Sequence, residues 1–227
     1  MSDGSPVLGK GTGLAAKLRR KNDPLFTAAL SHPFVKGIGD GSLPRDVFAR
    51  WIVQDWLYLQ GYVEALKVAS ALAPNESSQA FWGELVRVTL EVELELHRGL
   101  ASRFNLSINA LDNARAYEAT TDYLATFKAA SQSYPTLVAT LTPCAVGYAE
   151  IALVLDQKGT CSEPDYAAWI KTYTDPAFQE TVVLFTTELD QCGESAKSEE
   201  ALEAIEIAYT RAALSELLFW EGLLRGW

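Results

Sequence analysis

The chain has 227 residues and a mass of 24.8 kDa, and its 48% hydrophobic content is enough for one substantial core. A net charge of -10 and a pI near 4.7 argue against a nucleic-acid or anionic-membrane partner, because the field of the whole protein repels phosphate groups. A small neutral or cationic ligand fits this charge better. Three cysteines, Cys144, Cys161 and Cys192, follow no metal-ligand spacing, so we expect free thiols in a reducing, cytoplasmic compartment.

Residues 1–13 are rich in glycine and serine and lack the apolar core of a signal peptide, so we predict a disordered tail before a single domain at residues 14–227. Helical periodicity recurs in almost every window of that domain, whereas sustained strand alternation and hairpin signals are absent from the sequence. The sequence therefore predicts an all-α, single-domain helical bundle, with its functional site between the helices.

Eight helices are predicted in chain order, several of them opened by a proline at the first turn. The first covers about residues 14–30 and is followed by a glycine-rich turn segment at 32–43. The later helices are predicted at about 44–72, from 75 or 77 onward, at about 114–130, 135–155 and 166–173, from 176 onward, and at about 201–224.

The third helix carries an apolar stripe at three- and four-residue spacing, which predicts its buried face. The stripe consists of Phe81, Leu85, Val88, Val92 and Leu96. The other face carries charge, at Glu91, Glu93, Glu95 and His97. This cluster does not have the Glu-x-x-His pairs of di-iron bundles, so we interpret it as a solvated helix face and predict no metal site.

The fifth helix holds the longest apolar stretch, residues 138–155, which nears membrane-spanning length. Its threonines, proline and glutamate favour a buried core helix instead. Pro143 lacks an N–H and should kink the helix so that Cys144 turns inward. Tyr148 follows one turn later, about 40° away on the same face. An isolated cysteine is also compatible with a small buried hydrophobe, so other segments must decide its role.

Two acidic residues interrupt otherwise apolar helical runs. Asp55 is embedded among aromatic residues of the second helix, with Tyr58 about 60° away, so the two side chains can face one cavity; a capping role for Asp55 is the alternative. In the last helix Glu216 and Glu221 fall on opposite sides, which predicts one inward and one outward carboxylate. Burial would raise the pKa of the inward group toward the range useful for acid–base chemistry. We interpret His32 as structural.

Six segments together resemble the TenA/thiaminase II family, in its cysteine-bearing branch, over about residues 20–225. They are residues 32–35, 41–44, 54–59, 143–151, 169–173 and 216–221. The resemblance implies a haem-oxygenase-like bundle without haem, cofactor-free and homotetrameric, with a small pyrimidine as partner and neither nucleic acid nor membrane. It also implies hydrolysis of 4-amino-5-aminomethyl-2-methylpyrimidine to the hydroxymethyl pyrimidine of thiamin salvage, often with cleavage of thiamin itself.

The same resemblance implies roles for individual residues. Cys144 would be the nucleophile, Asp55 would hold a ring nitrogen and the amino group of the pyrimidine, and Glu216 would be the acid/base at the opposite ring nitrogen. Tyr173 would orient Glu216. The remaining substrate contacts would come from Tyr58 and Tyr148, near the exocyclic methylene and leaving group, and from Phe219, packed on the ring.

One departure from the family pattern lies on the fourth helix. The family commonly has Ala-Tyr-Thr, whereas this chain has Ala119-Thr120-Thr121, and either Tyr117 or Tyr123 is a candidate to replace the missing tyrosine. Two other functions therefore stay open: a pyrimidine- or thiamin-binding protein without turnover, and a metal-dependent oxidase built on the same bundle.

Overall fold

The computed structural model describes residues 11–159 and 161–227, and all regular elements in these ranges are helical, as predicted. Residues 1–10 of the predicted disordered tail lie outside the described residues. The helices are α1 Leu14–Lys21, α2 Asp23–Ser31, α3 Pro33–Asp40, α4 Arg45–Leu72, α5 Glu76–Val88, α6 Leu94–Arg103, α7 Ile108–Asp112, α8 Glu118–Ala130, α9 Tyr134–Gln157, α10 Pro164–Thr174, α11 Pro176–Ser195 and α12 Glu199–Arg225. A π-turn, Thr89–Glu93, joins α5 to α6.

Helix α9 is the centre of the bundle and packs against α8, α10, α11 and α12. It is long and apolar enough to cross a membrane, but 83% of its most apolar window is buried inside the protein. The prediction of a core helix is therefore confirmed. The helix continues through Pro143, and next to that residue the Thr142 hydroxyl donates a hydrogen bond of 2.7 Å to the Val138 carbonyl.

The N-terminal region differs from the prediction in two places. The first predicted helix is divided at Asn22 into α1 and α2. The glycine-rich segment is not only a turn, because residues 33–40 form α3, whose first backbone N–H, that of Phe34, donates to Nδ1 of His32. Gly37 is required there by close packing, since a Cβ at that position would lie 2.9 Å from the Cβ of Leu43.

The prediction for the third helix is wrong beyond Val88. A π-turn adds one residue to a helical turn, which rotates the following helix by about 100° relative to a continuous α-helix. Val92 and Leu96, predicted to be buried, are 46% and 54% exposed, whereas His97, predicted on a solvated face, is only 6% exposed. The π-turn thus turns Val92 and Leu96 outward and brings a histidine into the protein, while Glu91 and Glu95 stay exposed.

Buried polar contacts fix the helices that surround the centre. Arg19 on α1 donates to both carboxylate oxygens of Glu150 on α9, at 2.7 to 3.0 Å, and its guanidinium stacks 4.0 Å from the centre of the Phe26 ring. Gln54 on α4 accepts a hydrogen bond of 2.7 Å from the Thr120 hydroxyl on α8. These contacts fix α1 against α9 and α4 against α8.

Candidate active site

Three long helices bring Asp55, Cys144 and Glu216 into one buried cluster. Asp55 on α4 is 4% exposed, Glu216 on α12 is 7% exposed, and Cys144 on α9 is half-buried. The Cys144 thiol interacts directly with the Glu216 carboxyl, and the charge of Asp55 acts on both groups. The three predicted residues, about 70 to 90 positions apart in the chain, therefore share one environment.

The environment holds Cys144 in its neutral form. Burial raises the pKa of the thiol well above its usual value, and the neighbouring Glu216 and Asp55 charges raise it further, while a contact with Tyr58 acts in the opposite direction. Because a thiolate is the nucleophilic form of cysteine, the free protein keeps this sulfur unreactive. Activation requires a group that takes the thiol proton.

Glu216 is suited to take that proton. Burial raises the pKa of its carboxyl to about 7, although hydrogen bonds from Tyr123 and Cys144 act against the shift. Tyr123 on α8 donates its phenol hydrogen to Oε1 of Glu216. Glu221, five residues later, is 27% exposed and pairs with His32 and Arg225 instead. The predicted division into one inward and one outward carboxylate is confirmed.

Tyr173 is predicted to orient Glu216, but the tyrosine that donates a hydrogen bond to Glu216 in the structure is Tyr123. Tyr173 on α10 instead packs edge-on against Tyr148, with ring centres 4.8 Å apart. Tyr123 also answers the question raised by the departure at Thr120, because it places a hydroxyl in the site, whereas Thr120 bonds to Gln54.

Aromatic side chains form the remaining walls of the cluster. Tyr58 packs against Tyr123 and Phe219, at centroid distances of 4.9 and 6.1 Å. Its buried hydroxyl influences Cys144 but makes no hydrogen bond of good geometry with any described group. Tyr148 accepts a hydrogen bond of 3.3 Å from the indole N–H of Trp51. A flat apolar ligand with polar edges fits such walls, because aromatic faces pack on the ring while the free hydroxyl meets an edge.

Asp55 has a partner that the sequence did not reveal. Nε2 of His97 lies 2.7 Å from Oδ2 of Asp55, and both side chains are almost fully buried. Nδ1 of the same ring lies 3.1 Å from the backbone carbonyl oxygen of Glu93, the last residue of the π-turn. The capping role considered for Asp55 is not what this geometry shows, since its close partner is a side chain.

A cleft of about 400 Å³ opens to the surface beside His97. Its walls include His97, Trp51 and Tyr173 and the exposed Val92 and Leu96, whereas Asp55, Cys144 and Glu216 do not line it. In the parts of the chain that the structure describes, no group of three or more His, Cys, Asp or Glu side chains is placed to hold a metal ion.

Comparison with known proteins shows the family of the chain. The TENA/THI-4/PQQC family matches residues 18–226 of the chain. This chain belongs to the TENA/THI-4/PQQC family. Among the relatives of this TENA/THI-4/PQQC protein is the aminopyrimidine aminohydrolase of Halalkalibacterium halodurans, 33% identical over 91% of this chain and 93% of that protein. The aminopyrimidine aminohydrolase of Bacillus subtilis is 27% identical over 86% of this chain and 84% of that protein.

Solved structures of the family agree with the fold. The TenA homologue protein from P. horikoshii OT3 superimposes with a TM-score of 0.87 at 25% identity, covering 95% of this chain and all of that one. A domain with a heme oxygenase-like fold from Shewanella denitrificans OS217 superimposes with a TM-score of 0.74 at 12% identity, covering 95% of this chain and 94% of that domain, which bears on the fold alone. The predicted haem-oxygenase-like bundle is confirmed.

Proposed function

We propose that the protein is an aminopyrimidine aminohydrolase of the thiaminase II type. It replaces the exocyclic amino group of 4-amino-5-aminomethyl-2-methylpyrimidine by a hydroxyl group, which yields the hydroxymethyl pyrimidine of thiamin salvage, and it cleaves thiamin at the same methylene carbon. The observation that carries the proposal is the direct contact between the neutral thiol of Cys144 and the Glu216 carboxyl group of pKa about 7, inside aromatic walls. The curated relatives named aminopyrimidine aminohydrolase support it.

The thiol and the carboxyl group act as one unit that holds a single mobile proton. Ionised Glu216 takes the proton of the Cys144 thiol and passes it to a ring nitrogen of the pyrimidine while the sulfur adds to the adjacent ring carbon. The electron pair of the sulfur forms the new C–S bond, and the ring loses its aromaticity. Addition followed by loss of the leaving group divides one difficult substitution into easier steps.

The second half of the reaction reverses the first. The aminomethyl group, bound as an ammonium, departs as ammonia with the electron pair of its C–N bond, or the thiazolium of thiamin departs as neutral thiazole in the same way, and an exocyclic methylene remains on the ring. Water then adds its oxygen to that methylene and releases one proton to solvent. The ring nitrogen returns its proton to Glu216, the C–S bond breaks with its electron pair on sulfur, and Glu216 passes the proton back to Cys144. We assign the contacts with the departing group and the entering water to the Tyr58 hydroxyl and the Tyr148 phenol.

The remaining residues bind and orient the ring. Asp55 accepts from the amino substituent and meets the neighbouring ring nitrogen, since a buried carboxylate is a strong acceptor. Phe219 packs on the face of the heterocycle. Tyr123, rather than Tyr173, orients Glu216. Tyr173 closes the wall between Tyr148 and the cleft.

The decisive experiment measures ammonia release from the aminomethyl pyrimidine beside thiazole release from thiamin. Cys144→Ser should abolish both while retaining binding of the hydroxymethyl pyrimidine. Cys161→Ser is the matched control, because Cys161 is also a free, buried cysteine but lies against the α3–α4 segment near Gly41. Full turnover by Cys144→Ser would overturn the assignment of the nucleophile. If the wild type binds the pyrimidine but releases neither product, the protein is a binding protein and not an enzyme.

We also propose a cytoplasmic homotetramer, following the family resemblance. An exposed apolar stripe on α12 supports self-association, since its members recur at helical spacing on one side of the helix. The stripe consists of Ile207, Leu214 and Leu218. Light scattering of the purified protein measures the assembly directly, and a monomer at micromolar concentration would contradict this part of the proposal.

A further inference from the structure

The two ring nitrogens of His97 both face oxygen atoms. Nδ1 lies 3.1 Å from the Glu93 carbonyl oxygen, which can only accept, so Nδ1 must carry a hydrogen. Nε2 lies 2.7 Å from Oδ2 of Asp55, where an unprotonated nitrogen would set its lone pair against a carboxylate oxygen. The contact does not follow the line of the N–H bond and is therefore a close ion pair more than a directed hydrogen bond. A doubly protonated ring satisfies both contacts.

The surroundings of His97 hold the ring in one orientation. The Glu93 carbonyl at the end of the π-turn fixes one edge, and the Trp51 ring packs on it with centroids 5.2 Å apart. The charged groups that face the ring are Asp55 from α4 and Glu93 from the π-turn, and both are acidic. Without the extra residue of the π-turn, position 97 would be rotated by about 100° around the axis of α6. The local irregularity thus serves to deliver one imidazole to one carboxylate.

We propose that His97 is a positioning residue of the aminohydrolase reaction, which as an imidazolium fixes the orientation of Asp55 and balances its negative charge, so that Asp55 can accept from the substrate amino group. This inference rests on the proposed function for its catalytic meaning. The pair itself rests only on geometry. A carboxylate buried without a cation is strongly disfavoured, so a neutral side chain at position 97 would leave Asp55 either protonated or displaced.

The electrostatics agree with this role. Burial lowers the pKa of His97, but the hydrogen-bonding contact with Asp55, its charge, the Glu93 carbonyl and the Glu93 charge together outweigh burial, so that the pKa of the imidazole is raised above its ordinary value. The same surroundings have a second effect, because burial and the charge of Asp55 raise the pKa of Glu93 to about 7, whereas His97 lowers it. His97 is therefore a cation beside two acidic groups, Asp55 and Glu93.

The protonation state is tested by nitrogen NMR of the wild-type protein. The chain has two histidines, so His32→Gln leaves His97 as the only imidazole signal. At pH 7 both ring nitrogens of His97 should carry hydrogen, and in Asp55→Asn one of them should lose it. A neutral imidazole at position 97 at pH 6 would overturn the proposal, and so would an unchanged spectrum in Asp55→Asn.

The catalytic consequence is tested by a double-mutant cycle. His97→Gln should lower kcat/KM for the aminomethyl pyrimidine at least tenfold, mainly through KM, whereas in the Asp55→Asn background the same change should cost less than about threefold, because the partner is already lost. His32→Gln is the matched control and should keep wild-type kinetics. A side chain that only supports the fold would lower activity by the same factor in both backgrounds, which would refute the positioning role.

The two readouts separate the failure of this inference from the failure of the proposed function. A wild-type protein that releases neither ammonia nor thiazole would refute the aminohydrolase, while the NMR result would still decide whether His97 carries the second proton. An active enzyme with a neutral His97 would leave the reaction in place and refute the positioning role.

Discussion

Removing the ionisable group at position 216 should change how stability depends on pH. The carboxyl of Glu216 has a pKa of about 7 in the folded protein, against an ordinary value of 4.5. The folded state therefore binds more protons than the unfolded state between these values, and the stability due to this group is complete below about pH 4.5 and lost as the pH rises through 7. A pKa difference of about 2.5 corresponds to about 3 kcal/mol of unfolding free energy.

The side chain at position 216 cannot ionise in Glu216→Gln, so the variant does not lose this unfolding free energy as the pH rises. The free energy of unfolding of the variant minus that of the wild type should increase by about 2 to 3 kcal/mol between pH 5 and pH 8.5. Other groups that titrate near neutrality, such as Glu93, are present in both proteins and cancel in the difference. Urea unfolding followed by circular dichroism at several pH values measures it, with turnover assays showing that the stabilised variant is inactive.

Glu221→Gln is the control on the same helix. Hydrogen bonding with His32 lowers the pKa of Glu221, so removing its charge should lower stability at high pH rather than raise it. A difference between Glu216→Gln and wild type that stays constant from pH 5 to pH 8.5 would mean that Glu216 is already ionised at pH 5. The reasoning that makes it a proton carrier at neutral pH would then be refuted.

Other changes have equally definite outcomes. In the wild type, kcat/KM should rise with pH through about 7, because Glu216 must be ionised to take the thiol proton. Tyr123→Phe should move this rise to higher pH, since the Tyr123 hydrogen bond lowers the pKa of Glu216. An unchanged pH–rate profile in Tyr123→Phe would contradict this role of Tyr123. Arg19→Met should lower the unfolding free energy by about 3 to 5 kcal/mol by leaving Glu150 buried without a partner, and the additional change Glu150→Met should restore most of this loss. Urea denaturation of the single and double variants measures both numbers, and simple additivity of the two changes would show that the pair is not the cause.

Much of the fold follows from local signals that the sequence displays openly. Proline fixes φ and lacks an N–H, so Pro164 and Pro176 mark helix starts wherever a periodic apolar run follows them. Asp55 and Glu216 could be recognised because a carboxyl group inside an apolar helical run requires a reason. Such inferences need only the spacing of residues along one helix.

The residues that escaped prediction depend on contacts between distant segments. His97 lies within four residues of Glu93, Glu95 and Arg98 in the sequence, which favours a solvated face, and the π-turn reverses that pattern. A π-turn has no distinct signature in a run such as residues 89–93, since its extra residue is stabilised by tertiary packing. Tyr123 and Tyr173 escape prediction for the same reason, because the contact of Tyr123 with Glu216 and that of Tyr173 with Tyr148 are made between different helices.

The protonated state of Cys144 has a consequence for how the free protein meets reactive molecules. Alkylating agents and peroxide attack thiolates, so a thiol that ionises only when a bound heterocycle can receive its proton is shielded from both in the absence of substrate. Covalent inhibitors of this site would therefore need a basic ring nitrogen beside the electrophilic carbon. An electrophile lacking that nitrogen would find the sulfur inert, however well it filled the space.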